Sequence, residues 1–212
     1  MKAGQFYLDI NSASPKVKRE VAAVIEKSGA DFVESAVMEL VPPHGYKVPM
    51  LLAGTKAKDL ENLLKPFGMN VRAIGRNIGD ASSVKMIRSV FMKGFTAILM
   101  ECLYAAHKLK AEDEVLNSLQ TSFPQLDWHR LADYYSARLI KHAKRQAHEM
   151  EEVAETLEEL GVDPFTAVAS AQRLGWLADF NLIEDNPEPS EDMGNLLELL
   201  QKADDAASAE AP

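Results

Sequence analysis

Apolar and polar positions along this chain follow two different rhythms. As far as residue 78, short apolar runs alternate with stretches of helical period. "FYLDI" (6–10) reads as a strand. "PKVKREVAAVIEKSG" (15–29) reads as a helix, with Pro15 in its first turn and Gly29 at its stop. Proline is pre-set for a helix start, and glycine for the left-handed residue that ends one. "DFVESAVM" (31–38), "VPMLLAG" (48–54) and "NVRAIG" (70–75) read as three further strands. Between the last two, "KAKDLENLLKPFG" (56–68) gathers Leu60, Leu63, Leu64 and Phe67 on a helical stripe and stops at Gly68. The order β-α-β-β-α-β predicts a sheet covered by helices.

After Gly79 the strand signals cease. Residues 80–110 read as one helix of about 31 residues, roughly 46 Å long at the helical rise. Val84, Ile87, Phe91, Phe95, Ile98, Cys102 and Ala105 recur in it at spacings of three and four. Between Phe91 and Ala106 it is apolar nearly all round, the pattern of a helix buried by several neighbours. Further helices are expected over 112–121, 127–160 and 164–180, with breaks near Pro124 and at "GVDP" (161–164). The long helix opens in "NIGDASSVK", which sets Lys85 in its early turns. An ordered lysine loses much rotamer freedom and is rarely buried without a partner, so Lys85 either faces water or works at the mouth of a site.

Charge changes this picture at one end only. The net charge is −9 over 212 residues, but from residue 183 onward nine acids face the single Lys202, so the body is near neutral. With Pro187, Pro189 and an Ala/Ser/Asp ending, 183–212 reads as an acidic, mostly flexible tail in which "NLLELL" (195–200) offers one short docking helix. Removing that tail should leave the body folded. A body without basic excess gives no support for nucleic-acid binding. The lone Cys102, set among Leu99, Met100, Leu103 and Ala106, excludes an internal disulfide and reads as a buried structural thiol. No N-terminal signal and no apolar run of membrane-spanning length is evident, so the expectation is a soluble, cytoplasmic chain. A metal site is not expected, because "HEMEE" lacks the H-E-x-x-H spacing. None of the eleven glycines forms the G-x-G-x-x-G turn by which such a sheet usually holds a dinucleotide.

The segments "YLDINSASP", "GADFVESAVM", "VPMLLAG", "LLKPFGMNVRAIG" and "IGDASSVKMIRSVFMKGFTAILMECLYAA" occur in the order and spacing of one superfamily. Together they resemble the β-hydroxyacid dehydrogenases, the group of 3-hydroxyisobutyrate and 6-phosphogluconate dehydrogenases. "KMIRSVFMKG" and "RQAHEMEEVAETLEELGVDP" resemble its branch of phosphogluconate-dehydrogenase-like proteins with a C-terminal helical domain of unassigned function. The match spans about residues 5–180 and begins at a late strand of the family's Rossmann domain, which places the dinucleotide fingerprint upstream of Met1. The resemblance implies a partial Rossmann-like α/β domain over 1–78, an all-helical substrate and dimerisation domain over 79–182, and the tail over 183–212.

It also implies roles. The family's catalytic lysine stands in G-x-G-x-x-x-K-x-x-N. Here Gly79 and Lys85 match, Ala81 replaces the second glycine and Arg88 replaces the asparagine. Lys85 becomes the acid/base, with Ser82 and Arg88 as substrate contacts. Arg88 lies on the same helix face, suited to clamp a carboxylate bidentately and to disfavour a second positive charge beside it. Asn11 and Ser12 fall where the family borders the nicotinamide of NAD or NADP. The family's substrate loop, Ser-Gly-Gly, is replaced by Met38, Glu39 and Leu40, and His44 beyond it reads as a loop residue. From the helical domain, Arg145 and His148 fall where the family sends side chains back to the substrate. The implied function is hydride transfer between NAD(P) and a small hydroxy acid, in a homodimer. The alternative from another class is a catalytically silent helical dimerisation or ligand-binding module, and an upstream half carrying the fingerprint discriminates the two.

Overall fold

A computed structural model describes residues 1–182 and 192–210. It divides into two compact units, Met1–Ser89 with Glu155–Asp163, and Val90–Ala154 with Pro164–Pro212.

The first unit is built on a four-stranded sheet, β1 (Phe6–Asp9), β2 (Asp31–Val37), β3 (Met50–Ala53) and β4 (Val71–Gly75), in that spatial order. β1 and β2 are parallel and joined through helix α1 (Pro15–Ile25). β3 and β4 are parallel and joined through α3 (Ala57–Leu64), while β2 and β3 run antiparallel. The chain reverses between β2 and β3 through a single turn of helix, α2 (Val41–His44), which the sequence pattern leaves as loop. Strand alternation sorts the sheet into two faces. Val33, Met50, Leu52 and Val71 pack with Ala57 and Leu60 of α3 on one face. Ala36, Leu51 and Ala53 pack with Ala81 on the other. Glu61 of α3 latches that helix to the edge strand. Its carboxylate accepts the Ala73 N–H at 3.0 Å and pairs with Lys58 and Lys65. The Lys65 hydrogen bond, then the Ala73 N–H, draw the Glu61 carboxyl down to about 2.

Ala81 belongs to α4 (Asp80–Leu109), the long helix predicted from the apolar spacing. Because its first turns complete the sheet's core, the boundary between the two compact units falls within α4, between Ser89 and Val90. By length and composition α4 would suffice to cross a membrane, which the expectation of no such run overlooked. Half of its most apolar window is buried inside the structure.

The second unit packs the rest of α4 with α5 (Glu112–Ser122), most of α6 (Trp128–Glu159), α7 (Phe165–Asp179) and α8 (Met193–Glu210). Leu99, Leu103, Leu116, Leu139, Met150 and Leu174 are buried in it. Phe95 stands edge-on to Tyr135, with ring centroids 5.4 Å apart, and is tilted against Trp128 at 5.9 Å. α8 departs from the expected flexible tail. Leu196, Leu197 and Leu200 are fully buried, and the Met193 N–H donates to Asp133 Oδ1 at 3.0 Å. Asp204 accepts from the Tyr104 hydroxyl at 2.6 Å and pairs with Lys108 at 2.8 Å. The Lys108 and Tyr104 hydrogen bonds hold the Asp204 carboxyl below its ordinary value. Residues 183–191 of the expected tail lie outside the described residues. Cys102, expected buried, is only partly so, and with Ala97, Ala105, Ala169 and the Glu101–Arg173 ion pair it lines a groove between α4 and α7.

Candidate functional site

The start of α4 is fixed by a carboxylate buried in the sheet. Glu34, in the middle of β2, is wholly shielded from solvent. Its Oε1 accepts the N–H groups of Gly79 and Ala81, both at 2.8 Å, and its Oε2 accepts the Ser82 hydroxyl at 2.9 Å. The first N–H groups of a helix have no partner inside it and carry the positive end of its dipole, so a carboxylate there satisfies donors and charge together. Asp80 adds a second clasp by accepting the Asn77 N–H at 3.1 Å. It lies so close over Gly75 that a Cβ there would meet its carboxylate oxygen at 1.9 Å.

Gly79 makes the approach possible. Its φ is +111°, a left-handed value that glycine adopts without strain. A Cβ there would stand 3.3 Å from Pro15 Cβ and 3.0 Å from Arg19 Nη1. The start of α4 therefore lies against the start of α1, the helix that follows the turn 10–14. Arg19 in turn pairs with Glu159, at the end of α6, at 2.9 Å.

That turn has its own buried anchor. Asp9, at the end of β1 and directly opposite Glu34 in the parallel register, pairs with Lys18 of α1 at 2.9 Å, and both side chains are almost fully buried. Lys18 also donates to the Asp9 carbonyl at 3.2 Å. Asp9 Oδ1 accepts the backbone N–H of Asn11 at 3.0 Å and its side-chain amide at 2.7 Å. Burial pushes the Asp9 carboxyl up, but the Lys18 ammonium and the Asn11 donors outweigh it and hold the carboxyl below its ordinary value. Ser14 caps α1, its hydroxyl accepting the Val17 N–H. Asn11 and Ser12 are exposed on this anchored turn.

Of the residues singled out in the sequence, Lys85 is half-buried two turns into α4, and Arg88 is exposed one turn further on. Ser82 is buried, with its hydroxyl donating to Glu34 at 2.9 Å and 3.2 Å from the Gly79 carbonyl, so in this structure it is engaged in the helix start. Arg145 and His148 belong to the second unit. Arg145 pairs with Glu149 one turn along α6, and Glu149 also pairs with Lys93 of α4 at 2.9 Å. Burial would raise the Glu149 carboxyl, and Lys93 and Arg145 together draw it down. His148 stands out in solvent against Glu151 at 3.0 Å, a contact that raises its ring pKa. Both residues are thus engaged on α6 itself, the ordinary pattern of a salt-bridged helix surface. Glu39 and His44 are exposed and 3.8 Å apart. The pattern reading missed Glu34 and the Asp9–Lys18 pair. The signal was present, since an acid inside the apolar run "FVESAV" must find donors if that strand is central.

Residues 106–177 match the model of a domain of unknown function, DUF1932. An uncharacterised 28.5 kDa protein of Methanothermus fervidus is 30% identical over 150 residues, covering 69% of this chain and 56% of that protein. A conserved hypothetical protein from Sinorhizobium meliloti 1021 shares 36% identity and superposes with a TM-score of 0.77 over 93% of this chain and 66% of its own. The conserved protein MTH1747, described by its structural similarity with 3-hydroxyacid dehydrogenases, shares 34% identity at a TM-score of 0.69, over 82% of this chain and 66% of its own. The chain thus spans between half and two thirds of the length of these relatives.

Proposed function

We propose, from the chain's membership of the 3-hydroxyacid dehydrogenase superfamily, that the whole protein transfers hydride between a nicotinamide cofactor and a small hydroxy acid, with Lys85 as its acid/base. The observation that carries this reading is the close approach of Gly79 to Pro15. It sets the start of the lysine-bearing helix against the turn that presents Asn11 and Ser12.

These residues fit the nicotinamide end of such a cofactor. Asn11 and Ser12 are exposed beyond the carboxyl end of a parallel strand, where open α/β sheets take their ligands. The sequence holds no glycine fingerprint for the pyrophosphate. When bound, the nicotinamide would supply or accept the hydride. Lys85 would take the hydroxyl proton at Nζ, or return it in the reverse direction, as a group within hydrogen-bond reach does in general acid–base catalysis. Arg88, one turn on and open to solvent, would hold the acid group with two parallel N–H donors.

The test is an assay of small hydroxy acids with NAD+ and NADP+, on protein of the relatives' full length. Arg88→Ala should raise KM for the acidic substrate by about tenfold or more, with kcat changed by less than about threefold, as loss of a uniform binding contact does. An unchanged KM places the carboxylate elsewhere.

For a partner we propose a second copy of the chain. Val84, Ile87, Phe91 and Ile98 are exposed along α4 at spacings of three, four and seven, and Phe91 is 74% exposed. Sedimentation equilibrium should give twice the chain mass, and a monomer at micromolar concentration defeats the proposal.

A further inference from the structure

Building on the cofactor reading above, we propose that Asp9 is the positioning residue for Asn11. It turns the Asn11 amide so that Oδ1 is the outward hydrogen-bond acceptor, and this acceptor reads the carboxamide –NH2 of a nicotinamide. The orientation follows from charge. Asp9 is ionised, because Lys18 Nζ stands 2.9 Å from its Oδ2 with both side chains almost fully buried. An ionised carboxylate only accepts hydrogen bonds. The Asn11 group 2.7 Å from Asp9 Oδ1 is therefore Nδ2, and the carbonyl oxygen of the same planar amide is directed away from it. Asn11 is exposed, and among the described contacts its Oδ1 accepts no hydrogen bond.

An ordinary turn does not require this bond. An aspartate that accepts the backbone N–H two residues on, here at 3.0 Å, makes an Asx turn, and that suffices to shape the chain. The second bond, from Nδ2, fixes a side chain at the surface, where order costs rotamer entropy. Both donors converge on Oδ1 because Lys18 occupies Oδ2. Its further bond to the Asp9 carbonyl, at 3.2 Å, holds the pair in place. The result is a fixed acceptor just beyond the carboxyl end of β1. Such an acceptor suits a neutral carboxamide, which carries two N–H donors, and disfavours a carboxylate, which carries none.

The first measurement needs no cofactor. In 1H–15N spectra of the 212-residue chain, the Asn11 side-chain amide is assigned by its loss in Asn11→Ser. One of its protons should lie downfield and exchange slowly, because its acceptor is charged. Asp9→Asn should move that proton back toward the position of a solvated amide. A solvated-type Asn11 amide in the wild type, or one that Asp9→Asn leaves unmoved, overturns the positioning role. Should Asp9→Asn unfold because Lys18 is left buried without its partner, the double variant Asp9→Asn/Lys18→Met removes both charges and gives the same comparison.

The second measurement is affinity, by calorimetry on protein of the relatives' full length. NAD+ or NADP+ should bind about tenfold or more tighter than its deamido counterpart, in which a carboxylate replaces the carboxamide, because the latter leaves the acceptor unpaired. Asn11→Ala should bring the two affinities to within about threefold of each other. Asp9→Asn, or the double variant, should narrow the ratio as well, since the freed amide can turn its –NH2 outward, an effect that a purely structural aspartate would not have. A ratio unchanged in Asn11→Ala overturns the carboxamide contact, and one unchanged in the Asp9 variant overturns the positioning role. Binding of neither nucleotide defeats the dehydrogenase reading and the carboxamide contact together, while the amide signal still decides whether Asp9 orients Asn11.

Discussion

Lys85→Ala, made in protein of the relatives' full length, is expected to lower kcat about a thousandfold while changing cofactor Kd by less than about threefold. The size follows from the chemistry asked of the residue. A positioned acid/base contributes roughly 10²–10⁴ in rate, and alanine offers no group to replace it. The selectivity follows from the architecture. The helix start is held by the hydrogen bonds that Glu34 and Asp80 accept from backbone N–H groups and by the left-handed Gly79. The turn bearing Asn11 and Ser12 is held independently by the Asp9–Lys18 pair. Losing Nζ should therefore leave the geometry of both intact. Turnover within tenfold of wild type would show that the proton moves elsewhere. A cofactor affinity that fell in parallel would point to a structural lysine.

The second large effect concerns stability. Deleting residues 192–212 should lower the melting temperature by about 15 °C or more in calorimetry. Leu196, Leu197 and Leu200 are fully buried, and burying such side chains contributes about 2 kcal/mol each. In a chain of this size each lost kcal/mol costs roughly 2–4 °C. The deletion also strips Tyr104 and Lys108 of their shared partner Asp204 and exposes the leucines' former neighbours to water. The composition of the tail led to the opposite expectation, that the body would hold without it. A shift of less than about 3 °C would restore that expectation and make α8 a loosely docked segment.

The contrast between these two regions explains what was legible. The start of α4 was readable because its glycine, its acid and its lysine stand within seven residues, 79–85, and a short motif carries its own geometry. α8 was readable in part, since "NLLELL" was visible as a docking helix. Its charge disguised the rest, because net charge averages over all sides of a helix, whereas docking requires only one apolar side. Arg145 and His148 were placed by position along α6, but their roles depend on which neighbours satisfy them first. For both, a carboxylate one turn away does so.

By itself the sequence determined the four strands, the longer helices up to residue 180 and their order, but neither the single turn of α2 nor the length of α8. The strands and longer helices follow from the periods of two and 3.6 residues, which are local properties of the backbone. It also marked Lys85, through the residues beside it. Only the tertiary structure decided that β3 runs antiparallel to β2, that α8 is part of the second unit's core, and that Glu34 reaches donors 45 to 48 residues away. The physical reason is the same in each case. A strand's direction, a helix's docking face and a buried charge's partner are fixed by what lies opposite in space, and that is set by packing rather than by the residues alongside in the chain.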